Sequence, residues 1–368
     1  MKIALIRKNY TPYGGAENYM KQVAAGLVGK GHDIHILSAG NWEETEFHVH
    51  KIEAASRPSL LSNLLFSMNI KSFLDKETFD SVVSFERTGY GDIYRAGDGC
   101  HKEWLNKRKK HEPFYKRISF AINPHHRMLL YLEKKTFENL KIIIANSNMV
   151  KDDIIRNYAI PSEKIRVIYN GVDLQRFHPA DDDKKEAAKC SMGLQGMKVV
   201  LFVGADLDRK GLPVLLKALS ALEDKGVKLL VAGRKAKKRH ICLIRKLGIE
   251  KSVVLWGPEK NIEKLYAAAD IFVLPTIYDP FSNATLEAMA SGLPVITTSS
   301  NGAAELINSG VEGYVVEDHD DAGSIAVHIS AALSDSEEMG RRARLKAEQF
   351  PIEKAVESII ETISGAGA

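Results

Sequence analysis

The sequence predicts an α/β protein with two doubly wound parallel sheets, one in each half of the chain. Three observations support this fold class. Short apolar runs alternate with helical stretches along both halves. A chain of 368 residues is long for one core and suits two domains of roughly 150–200 residues each. Its 45% hydrophobic content allows both domains a substantial core.

The candidate strands are the short apolar runs. Those of the first half are Ile3–Ile6, Ile34–Leu37, Ser81–Phe85 and Ile142–Asn146. Those of the second half are Val199–Val203, Lys228–Ala232, Val253–Trp256, Ile271–Leu274 and Val295–Thr298. Between the halves, Ile165–Ile168 leads into Asn170 and Gly171, Pro179 and the acidic run Asp181–Asp183, which is typical of a linker. We therefore predict one domain over residues 1–168, a second over 169–350, and a C-terminal helix over 351–368.

Composition favours a reducing compartment. The cysteines Cys100, Cys190 and Cys242 are odd in number and lack zinc-like spacing, which argues against a disulfide framework. The opening MKIALIRKN is too short an apolar stretch for a secretory signal and fits a first buried strand. No uninterrupted apolar run is long enough to cross a bilayer. We expect a cytoplasmic protein whose contact with a membrane is peripheral.

Two acids surround a junction between a strand and a helix in the segment Leu274–Thr298. Pro275 ends the apolar run, and a polar loop containing Asp279 leads into a helix-forming run that contains Glu287. Parallel sheets bind ligands at the carboxyl ends of their strands, and helix N-termini attract anions. The junction therefore suits a diphosphate. As an isolated pair, such acids would more often only shape a turn and a helix start.

A second corner of the same kind follows the run Val199–Val203. The sequence GADLDRKG places Arg209 and Lys210 just before a helical run, Pro213–Ala221. Charge-assisted hydrogen bonds from these two cations would neutralise a diphosphate leaving group, at about 1.5–3 kcal/mol each. An Arg-Lys pair alone is weak support, because most such pairs are solvated.

Gly14 and Gly15 lie between the first strand and a helix that we expect to begin near Ala16. Without side chains they would let the backbone approach a ligand closely, or they would only form a tight turn. The loop lacks the spaced three-glycine fingerprint of a dinucleotide site, so a dehydrogenase is disfavoured.

Further motifs extend this pattern over nearly the whole chain: TPYGGAENYM near the start, VIYNGVD at Val167–Asp173 and VAGR at Val231–Arg234. With these motifs the sequence resembles the retaining glycosyltransferases of family 4, which have the GT-B fold. The start of the chain and DIYRAGDGCHKEW are similar to the bacterial members that glucosylate heptose in the lipopolysaccharide inner core. The resemblance implies two Rossmann-like domains facing a central cleft, with a C-terminal helix that crosses back to the N-terminal domain.

The resemblance also implies a reaction and a donor site. A hexose, most simply glucose from UDP-glucose, would pass to a lipid-linked bacterial saccharide such as inner-core heptose at the inner face of the cell membrane. Arg209 and Lys210 would stabilise the leaving diphosphate, Glu287 would bind ribose hydroxyls and Asp279 would hold the donor sugar. The remaining donor-binding residues would be Gly14, Gly15, Gly204, Arg234, Phe281, Ser282 and Asn283.

Acceptor-binding candidates lie in the first half. The family comparison places Asp98 near the acceptor hydroxyl, as an orienting group or partial base. His101, near it on what we expect to be a loop, is equally consistent with a structural role. Glu17, Glu86 and Arg87 are further candidates for contacts with acceptor hydroxyls.

Basic and aromatic side chains are mixed in the segment 102–127. Its basic residues are Lys102, Lys107, Arg108, Lys109, Lys110, Lys116, Arg117 and Arg127, and its aromatics include Trp104, Phe114, Tyr115 and Phe120. This mixture suits an anionic membrane surface, near which each basic residue contributes about 1 kcal/mol. Nucleic acid is the rival partner, and a solvated basic face is the simplest alternative. We expect the membrane, because a lipid-linked acceptor must reach this domain.

We expect neither a metal nor a cofactor in the reaction. Asp206 and Asp208 form an Asp-x-Asp pattern, but the neighbouring Arg-Lys pair can neutralise the charge that a metal would neutralise. The adjacent His125 and His126 need no metal either.

Two positions depart from the family pattern, because Asp279 stands where the family usually has Glu and Ser282 where it usually has Gly. One methylene fewer moves a carboxylate by about 1 Å, which can cost about 100-fold in rate. The alternatives are therefore a non-catalytic nucleotide-sugar-binding or membrane-docked scaffold, or a family 4 transferase that uses UDP-N-acetylglucosamine or GDP-mannose. An epimerase or phosphorylase on the same fold is a further possibility.

Overall fold

The computed structural model describes residues 1–9, 15–42, 46–55, 59–111, 123–224 and 226–366. Gly14 and residues 112–122 of the basic and aromatic segment lie outside these ranges. The chain forms two compact units. Met1–Asn170 and the segment from Ile352 onward make the N-terminal domain, and Gly171–Pro351 make the C-terminal domain.

Seven parallel strands form the sheet of the N-terminal domain, in the order β3-β2-β1-β4-β5-β6-β7. They are β1 (Lys2–Ile6), β2 (Asp33–Ser38), β3 (His48–Lys51), β4 (Ser81–Ser84), β5 (Ile93–Ala96), β6 (Ile142–Ala145) and β7 (Ile165–Val167). The helices between them are α1 (Gly15–Gly29), α2 (Ser59–Leu74), α3 (His101–His111), α4 (Pro124–Asn139) and α5 (Asn148–Tyr158). The strands that pack between helices are rich in Ile and Val, as is typical of parallel sheets buried on both faces.

The C-terminal domain has a six-stranded parallel sheet in the order β10-β9-β8-β11-β12-β13. Its strands are β8 (Lys198–Gly204), β9 (Val227–Gly233), β10 (Val253–Gly257), β11 (Ile271–Leu274), β12 (Val295–Thr298) and β13 (Gly313–Val316). Its helices are α6 (Asp182–Ser191), α7 (Leu212–Ala221), α8 (Lys238–Lys246), α9 (Glu263–Ala267), α10 (Asn283–Ala290), α11 (Ala322–Ser334) and α12 (Ser336–Ala347). From β8 the chain continues to β9 and β10 on one side of the sheet, and it then returns to β11 on the other side of β8. A topological switch point therefore lies at the carboxyl ends of β8 and β11.

The last helix, α13 (Ile352–Ala366), belongs to the N-terminal domain and packs on α1. Val356, Ile359 and Ile363 are buried in the same apolar cluster as Met20 of α1. Gly26 allows the close approach of the two helices, because a Cβ atom there would lie 2.9 Å from a methyl group of Val356.

The predicted α/β class with two doubly wound parallel sheets is confirmed, and all nine predicted strands are present within one residue at either end. Four strands were missed: β3, β5, β7 and β13. The run Ile165–Ile168, which leads into the predicted linker and was not among the candidate strands, contains β7, an edge strand of the first sheet. None of the helices in the described part of the chain has the length and apolar character needed to cross a bilayer.

Candidate active site

The loop between β8 and α7 holds Lys210 in a fixed position through two glycines. A Cβ atom on Gly204 would lie 3.0 Å from Cγ of Lys210, so the glycine makes room for the lysine stem. Gly211 caps α7 with φ +86°, and a Cβ atom there would lie 1.9 Å from the carbonyl oxygen of Pro275. Only glycine fits this position, because it tolerates both the left-handed backbone and the contact. The Arg-Lys pair therefore lies directly against the end of β11.

Lys210 and Asp279 form an ion pair between the two corners that the sequence predicted separately. Both side chains are largely withdrawn from solvent, at 12% and 7% exposure. Burial lowers the pKa of Lys210, and Arg209 lowers it further, whereas the carboxylate of Asp279 acts in the opposite direction. An anion that binds beside Lys210 would favour its charged form in the same way.

Arg209 connects the same two loops through backbone groups. Its guanidinium donates to the carbonyl oxygen of Tyr278 at 2.8 Å. Its own carbonyl oxygen accepts from the amide of Ile277 at 2.9 Å and from the hydroxyl of Thr276 at 3.0 Å. The cationic loop and the acidic loop are therefore hydrogen-bonded into one surface at the carboxyl ends of β8 and β11.

Asn301, which was not among the predicted site residues, fixes the start of α10. Its side-chain oxygen accepts from the amides of Ser282 and Ala303, both at 3.1 Å. Its amide nitrogen donates to the hydroxyls of Thr285 and Thr297 at 3.1 and 3.0 Å. The signal in the sequence was a polar residue three positions after a buried strand, at the edge where ligands bind.

The N-terminus of α10 faces this surface with its own cap. The hydroxyl of Ser282 accepts from the amide of Thr285 at 3.3 Å, so the residue that replaces the family's usual glycine serves as the N-cap. Phe281 is buried and Asn283 is the first helical residue. A helix N-terminus carries a partial positive charge, which adds to that of Arg209 and Lys210.

Glu287 lies one turn into α10 and is paired with a tyrosine. The hydroxyl of Tyr266 donates to its carboxylate at 2.8 Å. Burial raises the pKa of Glu287, and the hydrogen bond from Tyr266 opposes this shift. The carboxylate can accept further hydrogen bonds, as ribose hydroxyls would require.

The carboxylate of Asp208 forms ion pairs with basic side chains of the protein. It contacts the guanidinium of Arg239, the ammonium of Lys237 at 3.3 Å and Nε2 of His240 at 3.0 Å. Burial opposes its ionisation, yet the hydrogen bonds from Arg239 and His240 lower the pKa of Asp208 to about 2. The neighbouring Asp206 accepts from the amide of Arg209 at 3.4 Å. Asp206 and Asp208 therefore act as loop-positioning acids.

A small pocket opens beside this loop, at the carboxyl ends of β8 and β9. It is lined by Ala205, Asp206, Leu207, Arg234, Lys235 and Lys237. The amide of Arg234 donates to the carbonyl oxygen of Gly204 at 3.2 Å, which places the two strand ends side by side. Arg234 is exposed at the rim, where it can contact a bound nucleotide.

In the N-terminal domain, Arg7 brings together two of the predicted acceptor residues. Its guanidinium contacts Glu17 at 3.1 Å and Asp98 at 3.0 Å, and it donates to the carbonyl oxygen of Phe85 at 3.0 Å. Burial opposes its charge, but the carboxylates of Asp98, Glu86 and Glu17 raise the pKa of Arg7. Arg7 was not among the predicted site residues, although it is a charged residue directly after the buried strand β1.

Arg87, a further predicted acceptor residue, forms contacts within the protein. Its side chain is 11% exposed, contacts the fully buried carboxylate of Glu133 at 3.0 Å and donates to the carbonyl oxygen of Gly99 at 2.9 Å. Glu133 also accepts from the hydroxyl of Tyr158 at 2.6 Å. Arg87 therefore has a structural role, because releasing it would leave a buried carboxylate without its cation.

His101 is the first residue of α3, where a loop was expected. Its amide donates to Glu133 at 2.6 Å, and its Nε2 lies 3.2 Å from Nδ1 of His126. Burial, together with Arg87 and the neighbouring histidines, lowers the pKa of His101 to about 3, so the ring is neutral at physiological pH. The carboxylate of Glu86 accepts from the amide of Lys8 at 3.4 Å.

Gly15, from the predicted donor-binding glycine pair, is the first residue of α1.

Comparisons with known proteins agree with this architecture. The family model for group 1 glycosyl transferases matches residues 185–350, and that for glycosyltransferase family 4 matches residues 13–176. An uncharacterized glycosyltransferase, MJ1607 of Methanocaldococcus jannaschii, is 29% identical over 91% of this chain and 90% of its own. The lipopolysaccharide glucosyltransferase WaaG of Escherichia coli is 24% identical over 86% of this chain and 85% of its own.

Solved structures share the fold over the full chain. The crystal structure of WaaG, described as a glycosyltransferase involved in lipopolysaccharide biosynthesis, has a TM-score of 0.87 at 22% identity and covers 99% of this chain and 100% of its own. Anabaena Alr3699/HepE in complex with UDP-glucose has a TM-score of 0.81 at 19% identity, covering 99% and 100% of the two chains. The chain therefore belongs to the family 4 glycosyltransferases and has their GT-B fold of two Rossmann-like domains.

Proposed function

We propose that the chain is a retaining, metal-independent hexosyltransferase that moves glucose from UDP-glucose to a lipid-linked bacterial saccharide such as inner-core heptose. The observation that carries this proposal is the surface formed by Arg209, Lys210 and Asp279 at the switch point of the C-terminal sheet. This surface combines two cations and a sugar-binding acid with the positive end of α10. The glucosyltransferase name of WaaG and the UDP-glucose bound to HepE support the choice of donor.

The reaction that these groups would promote needs no covalent nucleophile. The bond between the anomeric carbon and the diphosphate breaks, and its electron pair goes to the leaving phosphate oxygen. The acceptor hydroxyl forms the new bond on the same face of the sugar, and its proton passes to that phosphate oxygen. Lys210 and Arg209 would stabilise the charge that develops on the diphosphate. Fixed charges aimed at developing charge in this way usually lower the reaction barrier more than any other single effect in an active site.

The other donor-site residues have roles that follow from their positions. Asp279 would accept hydrogen bonds from the glucose hydroxyls while it remains paired with Lys210. Glu287 would bind the ribose. Arg234, which lines the small pocket, would lie near the nucleotide. Backbone groups would make most of the hydrogen bonds that recognise the base. Glu17, Asp98, Glu86 and the neutral His101 would bind and orient the acceptor.

A lipid-linked acceptor requires contact with the membrane, and two helices of the N-terminal domain support this role. Helix α2 exposes Leu61, Leu65 and Met68, at 45%, 39% and 56% of their surface. Their spacing of four and three residues places them on one face of the helix. Helix α3 carries Lys107, Arg108 and Lys109, and α4 packs against both helices. An apolar face beside basic residues fits an anionic bilayer surface, at the inner face of the cell membrane.

A donor panel tests the proposal and separates it from its alternatives. The protein is incubated with UDP-glucose, UDP-galactose, UDP-N-acetylglucosamine, GDP-mannose or NAD in excess chelator, without acceptor. We expect thermal stabilisation and slow cleavage with UDP-glucose, and α-configured product on addition of a heptose-containing acceptor. Stabilisation without cleavage in either condition would favour a scaffold. Cleavage of another nucleotide sugar would show that UDP-glucose is not the donor. Cleavage that requires added metal would contradict the metal-independent mechanism.

A further inference from the structure

A cluster of four titratable side chains, none of which is assigned to transfer, lies on one face of β2 and β3. Asp33 and His35 belong to β2, and His48 and His50 belong to the neighbouring edge strand β3. The two strands are parallel, with His35 opposite His48. Alternate residues of a strand share a face, so the patterns D-x-H and H-x-H bring all four side chains together.

The distances within this cluster match those between the ligands of a small ion. One oxygen of Asp33 lies 3.2 Å from Nε2 of His35, and the other lies 3.4 Å from Nε2 of His48. One ligand atom from each of the three residues falls within 4.8 Å of the others. Ligands ~2.0–2.2 Å from a tetrahedral zinc ion are themselves ~3.4 Å apart. We infer that Asp33, His35 and His48 bind a divalent transition metal ion, of which Zn²⁺ fits the ligand set best.

His50 completes the site without being a ligand. Its Nε2 lies 2.7 Å from Nδ1 of His35, which leaves Nε2 of His35 directed at Asp33. Metal-binding histidines usually donate their second N–H to a hydrogen-bond acceptor, here Nε2 of His50, and this bond fixes the tautomer and the ring orientation. The rings of His48 and His50 stack on that of His35, with centroids 4.8 and 5.0 Å away. Phe79 contacts the ring of His35 edge-on at 5.3 Å.

The position of the cluster separates the bound ion from the edge of the sheet where substrates bind. Asp33 and His48 are the first residues of their strands, whereas parallel sheets bind their substrates at the carboxyl ends. A bound ion would attach the four-residue edge strand β3 to the sheet. Imidazole and carboxylate ligands suit Zn²⁺, and three protein ligands leave one position for water. Removing the ion should therefore destabilise the domain without preventing donor cleavage, which keeps this inference separable from the proposed function.

Titration with zinc chloride tests the site. The protein is first stripped with chelator and dialysed, and the exposed Cys190 and Cys242 are replaced by Ser in every variant so that thiols do not bind the metal. Calorimetry should give one ion per chain, with a rise in the melting temperature. His48→Ala and Asp33→Asn, both at exposed positions, should each weaken binding at least ~10-fold. His178→Ala, at an exposed histidine outside the cluster, should bind as the parent does.

Cobalt provides a second readout that does not depend on stability. Co²⁺ bound to the parent protein should give the intense visible absorption of a four-coordinate ion, and His48→Ala should abolish it. His50→Phe should keep the fold and weaken Zn²⁺ binding ~10- to 100-fold, as expected for a positioning residue. Binding that His48→Ala and Asp33→Asn leave unchanged would assign the metal to scattered surface groups and overturn the site. A parent protein that binds no Zn²⁺ would also overturn it.

Discussion

At the residue scale, the pair Lys210 and Asp279 decides what the candidate site can do. A buried ion pair contributes little net stability, but removal of one partner typically costs about 3–5 kcal/mol. Such a pair is retained more readily where the charges serve a ligand. With Asp in place of the family's usual Glu, the carboxylate still reaches the ammonium of Lys210. The shorter acid is thus compatible with the paired arrangement.

The sequence predicted these residues but not their contacts. Four residues were recognisable because each is charged and lies in a loop after a buried strand or in the helix that follows that loop: Arg209, Lys210, Asp279 and Glu287. Asn301 was not predicted, because its position shortly after a buried strand is shared by many loop residues and does not distinguish it. Its importance depends on four hydrogen bonds that exist only once β12 and α10 lie side by side.

Asp208 should make the stability of the loop depend on pH. The pKa of Asp208 is 3.8 in the unfolded chain and about 2 in the folded protein. Its ionised carboxylate therefore contributes its full stabilisation above pH 3.8, and this stabilisation is lost as the pH falls toward about 2. Asp208→Asn should therefore lower the free energy of unfolding at pH 6. The difference from the parent should narrow as the pH falls below about 3.8 toward about 2. Urea unfolding at pH 6, 4, 3 and about 2.5, which brackets this range, measures the difference, and a difference independent of pH would contradict the pairing.

At the element scale, hydrophobic runs predicted the strands that are buried on both faces. The missed strands lack such runs for identifiable reasons. Strand β3 is the exposed sequence HVHK at a sheet edge, and β5 is interrupted by Arg95. Arg95 is buried because its guanidinium lies over the ring of Tyr19, 4.5 Å from its centroid, and contacts Asn170. These partners come from distant parts of the chain, so the local sequence around Arg95 does not predict its burial.

The turn between the Arg-Lys pair and α7 should not tolerate a side chain. Gly211→Ala combines a left-handed backbone with a Cβ atom 1.9 Å from the Pro275 oxygen. Gly248 has a similar φ of +67° but open space around it, so Gly248→Ala is a matched control for the backbone cost of about 1–2 kcal/mol. We expect Gly211→Ala to lose about 1–3 kcal/mol more than the control. Gly211→Ala should also lose UDP-glucose cleavage. Equal stability and equal cleavage rates for Gly211→Ala and Gly248→Ala would contradict the role of the turn.

The apolar face of α2 should carry membrane binding together with α3. Leu65→Asp combined with Met68→Asp should reduce co-sedimentation with vesicles that contain anionic phospholipid. Replacing Lys107, Arg108 and Lys109 by Gln should weaken binding at low salt, because surface charges are screened at higher ionic strength. Val327→Asp, at a residue of the C-terminal domain that is 66% exposed, is the control. Vesicle binding that neither set of changes reduces would exclude this surface.

At the scale of the whole molecule, each domain has its own core, and α13 returns the chain to the first of them. Its residues Val356, Ile359 and Ile363 complete a cluster built mainly from β1, β2 and α1. The helical pattern of the last segment was visible in the sequence. Its packing on the N-terminal domain was implied only by the resemblance to the family, because an apolar stripe on a helix does not indicate which domain the helix contacts.

Truncating one contact of α13 should destabilise the N-terminal domain. Ile359 is 1% exposed, so Ile359→Ala should cost about 2–5 kcal/mol. Leu345→Ala, at a residue that is 50% exposed, should change stability by less than about 0.5 kcal/mol. In a Trp256→Phe background the remaining tryptophans, Trp42 and Trp104, both report on the N-terminal domain. An unchanged denaturation curve for Ile359→Ala would contradict the packing of α13 in this core.

The central claim is that paired charges, without a metal, promote departure of the diphosphate. Its most direct test is the turnover of UDP-glucose cleavage in excess chelator for the parent, Lys210→Ala and Lys189→Ala. Lys189 is the matched control, because it forms a comparably buried pair with Asp270 at 9% and 14% exposure, against 12% and 7% for Lys210 and Asp279. We predict a loss of about 100- to 1,000-fold for Lys210→Ala and near-parental turnover for Lys189→Ala. Equal turnover in the two variants, or a requirement for added metal, would contradict the mechanism.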